Sequence, residues 1–200
     1  MRRYYEKTAP KYDRVMRLWD AALFRDGRAW ACAQAQGRTL EIGIGTGRNL
    51  PHYREDVELV GIDPSAPMLE LARERAKTLG RGVDLLLGDA QALNFTDASF
   101  DTVLSALTLC TIPDDRKAVG EVWRVLQPAG KFILLEHVRS PNPFVRVVQR
   151  LLDPLSVRFA ADHLMREPFD HLHELGFEVE TLERSRLGIV ERTVARKPRS

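Results

Sequence analysis

The sequence predicts a doubly wound α/β fold: a seven-stranded, mostly parallel sheet with an antiparallel strand at its C-terminal edge and helices on both faces. Three observations carry that expectation. From Arg38 onward, short apolar runs of strand length alternate with segments of helical period, the alternation that parallel sheets with crossover helices require. Several runs are apolar almost throughout, as strands covered on both faces must be. Three glycines crowd into five positions after the first run, at the first strand–helix turn, where open α/β sheets bind ligands.

In order, strands are expected at 39–44 (TLEIGI), 57–63 (VELVGID), 83–89 (VDLLLGD), 100–107 (FDTVLSAL) and 131–138 (KFILLEHV). Between the second and third, residues 66–80 read as a helix with Met68, Leu69, Ala72, Ala76 and Leu79 on one face. Ser65 stands at its N-cap, Pro67 in its first turn and Gly80 at its C-terminal stop. A second helix is expected at 114–126, closed by Pro128 and Gly130. Segments 176–184 and 189–197 alternate apolar and polar residues and predict an antiparallel hairpin at the sheet edge. One domain over 1–200 is expected, divided into an N-terminal helical cap (1–37), a ligand-binding core (38–138), an insertion after the fifth strand (139–170) and C-terminal strands (171–200).

Two hundred residues with 44% apolar content support one core. A net charge of +2 is far from the basic footprint of a nucleic-acid binder, so no nucleic-acid partner is expected. The opening MRRYYEKTAPKYD is charged without an apolar run, and no window approaches 18 uncharged apolar residues. Two cysteines without a CxxC pair predict neither a disulfide framework nor a metal site. A reduced, cytoplasmic protein is the expectation.

The glycine turn EIGIGTG has Gly43, Gly45 and Gly47, a GxGxG pattern. The dinucleotide fingerprint GxGxxG would need glycine where Arg48 stands. Asp63 ends the second strand, 20 positions beyond Gly43, where a carboxylate can accept from two ribose hydroxyls. Glu41, two residues before the first glycine, would repel a pyrophosphate but favours an ammonium. Asp89, in GDAQAL after the third strand, can accept from an adenine amino group. Ammonium, ribose and adenine without phosphate describe S-adenosylmethionine.

On EIGIGTG (41–47), GID (61–63), GDAQAL (88–93), FDTVLSALTLCTIPD (100–114) and RVLQPAGKFILLEHV (124–138), the chain resembles the class I S-adenosylmethionine-dependent methyltransferases, a Rossmann-like family. The resemblance covers 38–138 and extends more loosely to the end. It implies that Gly43, Gly45 and Gly47 face the methionine part with Glu41 supporting its ammonium. Asp63, with Pro64 beside it, would bind the ribose. Asp89 and Ala90 would sit at the adenine, Met68 near the nucleoside, and Leu107 would offer backbone to the amino acid. Within the class, YYEKTAPKYDRVM and GRAW are similar to the ubiquinone and menaquinone C-methyltransferases and bacterial phospholipid N-methyltransferases. The segments LTLCTIPD, LLEHV and LLDP are similar to eukaryotic methyltransferase-like thiol S-methyltransferases. Tyr12, in KYD, would close over the cofactor, with Tyr4 and Tyr5 nearby. Where these families read Pro-Gly-Gly, this chain has Ala129 in LQPAG.

The expected reaction is methyl transfer to a small, lipophilic acceptor such as a thiol, a quinone or phenol, or a phospholipid head group. In-line displacement from a sulfonium depends chiefly on alignment, and a base is needed only if the acceptor must lose a proton. Glu136 and His137, at the end of the fifth strand, and His163 in the insertion are the candidate catalytic residues. Cys110 reads as a small buried hydrophobe. Segment 143–159 sets Phe144, Val145, Val147, Val148, Leu151, Leu152 and Leu155 among Arg146, Arg150 and Arg158. It is consistent with a lid over an apolar pocket, a cover on the sheet, a peripheral membrane contact or a dimer surface. A monomer or homodimer is expected. The rival readings are an NAD-dependent oxidoreductase and a non-catalytic binding or membrane-associated protein.

Overall fold

The sheet has seven strands: β1 (Arg38–Ile42), β2 (Glu58–Asp63), β3 (Asp84–Leu87), β4 (Phe100–Ala106), β5 (Leu126–His137), β6 (Glu178–Ser185) and β7 (Val190–Arg196). This computed structural model describes residues 12–160 and 162–199, without the side chains of 159 and 160; Tyr4 and Tyr5 lie outside the described residues. The strand order is β3-β2-β1-β4-β5-β7-β6. Strands β1 to β5 are parallel, and β7 runs antiparallel to both β5 and β6. The predicted hairpin is therefore at the edge, with β6 outermost and the antiparallel strand one place in. Sequence order reverses between β1 and β4, which opens a crevice at their carboxyl ends.

Residues 12–19 are helical and run into a π-helical turn, Asp20–Phe24. The helices that follow are α1 (Gly27–Ala33), α2 (Ala66–Leu79), α3 (Asp115–Val125), α4 (Pro143–Ala160) and α5 (Pro168–Leu175). Helix α2 ends as its sequence predicts: Gly80 adopts φ 62 and its N–H closes the last turn. Ser65 occupies the N-cap position, but its hydroxyl makes no cap bond. Asp63 instead takes the Ser65 amide at 2.8 Å, which locks the end of β2 to the start of α2. At α3 the cap forms, with Asp114 accepting from the Lys117 amide at 2.9 Å.

Strand β5 starts five residues before the apolar run expected at 131. The breakers Pro128 and Gly130 are held inside an irregular ladder: Leu126 pairs with Phe100, and the register shifts before Thr102 meets Lys131. Ala129 takes the left-handed φ of 63, and its amide donates to the Lys197 carbonyl at 2.9 Å.

Apolar residues cover both faces of the sheet. Leu40 and Ile42 of β1 join Phe100, Phe132, Val119 and Val122 on the α3 face. Ile44, Leu104 and Ile133 join Ala31 of α1 and Leu69 of α2 on the other. Each such large side chain contributes about 1.5–3 kcal/mol when buried. Strand alternation sends Glu41 to the face opposite Leu40 and Ile42, beneath α1. That placement decides what Glu41 can do.

Candidate functional site

A cavity of about 480 Å³ lies at the carboxyl ends of β1, β2 and β4. The glycine turn forms one wall through Gly43 and Gly45. Gly43 has φ 66 and stands so close to Thr108 that a Cβ there would strike its side chain, so only glycine keeps the two loops in contact. Gly47 does not face the cavity as expected. A Cβ on it would meet Leu50 at 2.7 Å and Ala72 at 3.3 Å, so this glycine serves the close packing of the turn on α2.

Asp63 reaches the cavity from the end of β2. One carboxylate oxygen accepts from the Gly45 amide at 3.0 Å and the other from the Ser65 amide at 2.8 Å. Burial pushes its pKa up to about 6 against the pull of those two amides, so it is charged at neutral pH. A carboxylate has about four lone-pair sites, and two amides leave the rest for a ligand. Pro64 and Met68 continue this wall. Asp89, Ala90 and Gln91 line the cavity after β3, where Asp89 accepts from the Gln91 amide at 2.9 Å. Leu107 and Thr108 follow β4. Leu107 has φ 58, a conformation costing a branched residue about 1–2 kcal/mol, and such strain collects at ligand sites. Its amide is fixed to the Leu135 carbonyl at 2.8 Å. Tyr12 of the N-terminal helix closes the remaining side, and burial pushes its hydroxyl up to about 12.

Glu41, expected at the ammonium, is not among the residues that line the cavity and stands behind the glycine turn. Its oxygens accept from Asn49 Nδ2 and the Tyr53 hydroxyl, both at 2.8 Å. Burial pushes its pKa up to about 7, opposed by those two bonds and by Arg28. Arg28 donates in turn to Asn49 at 2.9 Å. Glu41 thus braces the glycine turn from behind.

The candidate catalytic residues stand outside the cavity lining. Glu136 is buried, and its Oε1 accepts from Ser105 Oγ at 2.7 Å and from the Thr108 and Leu109 amides at 3.1 Å. It orders the loop after β4. His137 Nε2 lies 2.8 Å from Asp162 Oδ1. Burial opposes its charge, but the Asp162 hydrogen bond and carboxylate outweigh that and hold its pKa above the usual histidine value. His163 donates its backbone amide to the Cys110 carbonyl at 2.9 Å. Cys110 is buried beside these groups, and burial, with Glu136 and Asp162 nearby, raises its thiol pKa.

Sequence reasoning missed Thr108 as the partner of Gly43. It also missed the use made of Arg48, which donates to Asp20 at 2.6 Å and ties the glycine turn to the N-terminal helix. Thr46 donates to Asp13 at 2.6 Å in the same tie. An arginine in place of the third fingerprint glycine was the available signal.

An open α/β sheet with a glycine turn and a second-strand carboxylate around its switch-point cavity defines an enzyme class that binds a nucleoside cofactor. Residues 40–134 match the family model for a methyltransferase domain. The chain is 35% identical over 154 residues to a demethylmenaquinone methyltransferase of Thermus thermophilus, covering 74% of this chain and 70% of that protein. It is 36% identical over 118 residues to a phosphatidylethanolamine N-methyltransferase of Cereibacter sphaeroides, 58% of each chain. A solved Thermotoga maritima structure, described as an S-adenosylmethionine-dependent methyltransferase and possible histamine N-methyltransferase, superposes with TM-score 0.76 at 27% identity, over 98% of this chain and 100% of that one. The chain belongs to the S-adenosylmethionine-dependent methyltransferases.

Proposed function

We propose that the cavity binds S-adenosylmethionine and that the enzyme methylates a small, lipophilic acceptor: a thiol, a quinone or phenol, or a phospholipid head group. One observation carries the cofactor's placement. Among the described residues lining the cavity, two are acidic, Asp63 and Asp89, and none is a lysine or arginine. A negative, phosphate-free lining suits a sulfonium and an ammonium and disfavours a pyrophosphate. Asp63 would take the ribose hydroxyls, Asp89 and Ala90 the adenine, and the Gly43–Gly45 turn with Leu107 the amino-acid end. Bound there, the cofactor supplies a methyl group on a cationic sulfur whose departure as a neutral thioether is easy. The chain's part is to align and enclose, through Tyr12 and the strained Leu107 loop, since no candidate base lines the cavity.

A lipophilic acceptor is supported by the lipid substrates in the names of the two relatives and by α4. That helix is turned inside out. Two of its polar residues face the protein: Gln149 donates to the Val138 carbonyl at 3.0 Å and accepts from the Ser140 amide at 2.8 Å, and Asp153 accepts from the Leu164 amide at 2.7 Å. Its apolar stripe faces solvent, with Phe144 84% and Leu151 72% exposed beside Val147, Val148, Leu152 and Leu155. The expected cover on the sheet would have the opposite orientation, and a lid would line the cavity, which none of the described α4 side chains does. The helix's one acid, Asp153, is turned inward, and Arg146, Arg150 and Arg158 run along it, a combination suited to an anionic lipid surface. Two copies meeting through this stripe would bring like charges together. No helix among the described residues is long and apolar enough to cross a membrane.

Calorimetry with S-adenosylmethionine and S-adenosylhomocysteine tests the cofactor. Asp63→Ala is expected to weaken binding about tenfold or more, since hydrogen bonds to a charged acceptor contribute about 1.5–3 kcal/mol. Binding of NAD without binding of either sulfur ligand would overturn the reading. Methyl-labelled cofactor offered with thiols, phenols, quinones and phospholipids identifies the acceptor class, and label passed to none of them favours a binding protein.

A further inference from the structure

At the far end of β5, three potential ligand atoms of unlike chemistry converge from three separate elements. Cys110 sits on the turn after β4, His137 ends β5, and Asp162 follows α4. Their sulfur, nitrogen and oxygen atoms lie within 4.8 Å of one another. The thiol is buried, and the His137 and Asp162 side chains keep only 12% and 25% of their surface in solvent. We propose that Cys110, His137 and Asp162 form a binding site for a zinc-like divalent cation beside the cofactor cavity.

Thiolate, imidazole and carboxylate are the three ligand types zinc takes in proteins, and three protein ligands leave a fourth, open position. One further atom supports the assignment: Glu136 Oε2, close to Cys110, is buried without a hydrogen-bond partner, on a residue only 1% exposed. A buried, unsatisfied carboxylate oxygen marks a place where an ion or water is required. The 2.8 Å between His137 Nε2 and Asp162 Oδ1 is that of atoms sharing a proton. An ion replacing that proton needs ligand atoms roughly 3.3 Å apart, given bond lengths near 2.0–2.1 Å. Asp162 lies on a partly exposed segment and supplies that small shift. Thr108 and Thr111, on either side of Cys110 in the chain, both line the cavity, so the cluster adjoins it. The absence of a CxxC pair hid the site, because its ligands are 25 to 52 residues apart.

The test is cobalt titration of the full chain followed by optical spectroscopy, with zinc competing. A thiolate-to-cobalt charge-transfer band that saturates at a single site and is abolished by zinc is expected. Cys110→Ser removes the band, because Cys32, the other cysteine, is buried in the cluster under α1. Asp162→Asn weakens zinc binding at least about tenfold, the low end of what loss of a metal-site partner costs, with the metal-free unfolding midpoint unchanged. If Cys110→Ser does not fold, Asp162→Asn, which alters a partly exposed side chain, decides the question. No thiolate band at excess cobalt, or zinc affinity unchanged in Asp162→Asn, overturns the assignment.

Discussion

Between β1 and α2, the polar groups in and behind the cavity wall hold one another over short stretches, Asp63 through backbone amides and Glu41 through side chains. Asp63 reaches Gly45 18 residues away and Ser65 two away, and Glu41 meets Asn49 and Tyr53 within 12. Beyond β5 the partners are distant and mostly side chains. Ser140 Oγ donates to the Leu187 carbonyl across 47 residues, His137 meets Asp162 across 25, and Arg166 pairs with Asp115 across 51. The core of the glycine turn is a local motif, closed from outside by Tyr12, Asp13 and Asp20 of the N-terminal helix and by Thr108. The region beyond β5 is put together only when the chain has folded, and the outer surface of α4 is free to be apolar because Gln149, buried, and Asp153, partly buried, anchor the helix from its other side.

That contrast predicts large stability effects in the first half and small ones in the second. Glu41 has the largest. Its pKa rises from 4.5 in the unfolded chain to about 7, so its contribution is fully present below pH 4.5 and is lost as pH rises to 7. Asp63, raised to about 6, acts in the same direction. Glu41→Gln should remove a swing on the order of 3 kcal/mol from denaturant midpoints measured between pH 4.5 and 7.5; an unchanged pH profile would mean that Glu41 is not brought under α1. Gly43→Ala should cost about 2 kcal/mol for the left-handed backbone and the Thr108 collision, and calorimetry should show weaker cofactor binding. Ala129→Gly, at φ 63, should stabilise by up to about 1 kcal/mol; a loss of stability would show that the Ala129 methyl packs better than its backbone suffers. Leu151→Glu with Leu155→Glu should leave stability within about 0.5 kcal/mol while abolishing flotation with anionic vesicles. If flotation persists, the stripe is not the lipid contact and the resemblance between α4 and an interfacial helix is incidental.

What could be read from the sequence follows the same division. The five parallel strands, α2 with its Gly80 stop, and Asp63 at the end of β2 are encoded by neighbours, so their pattern showed. The orientation of Glu41 was not legible, because a carboxylate at the end of a strand looks the same whether it faces ligand or Tyr53. Helix α4 shows the limit of periodicity: its stripe is plain, but a helical pattern does not say which face meets the protein. Gln149 and Asp153, the polar residues opposite the stripe, held that information. Cys110 and His137 were each noticed separately. Nothing local says that they meet with Asp162.

Behind the glycine turn stand three guanidinium groups, Arg28, Arg48 and Arg75. Their countercharges come from the N-terminal helix: Asp20 pairs with Arg28 at 3.0 Å and Arg48 at 2.6 Å, and Asp13 pairs with Arg75. The glycine turn is thus backed by three positive charges, and two carboxylates of the N-terminal helix offset them from outside the core. With that helix displaced, the guanidinium groups behind the turn would lose these countercharges together with the Tyr12 wall of the cavity. The helix is the counter-ion of the site as much as its wall.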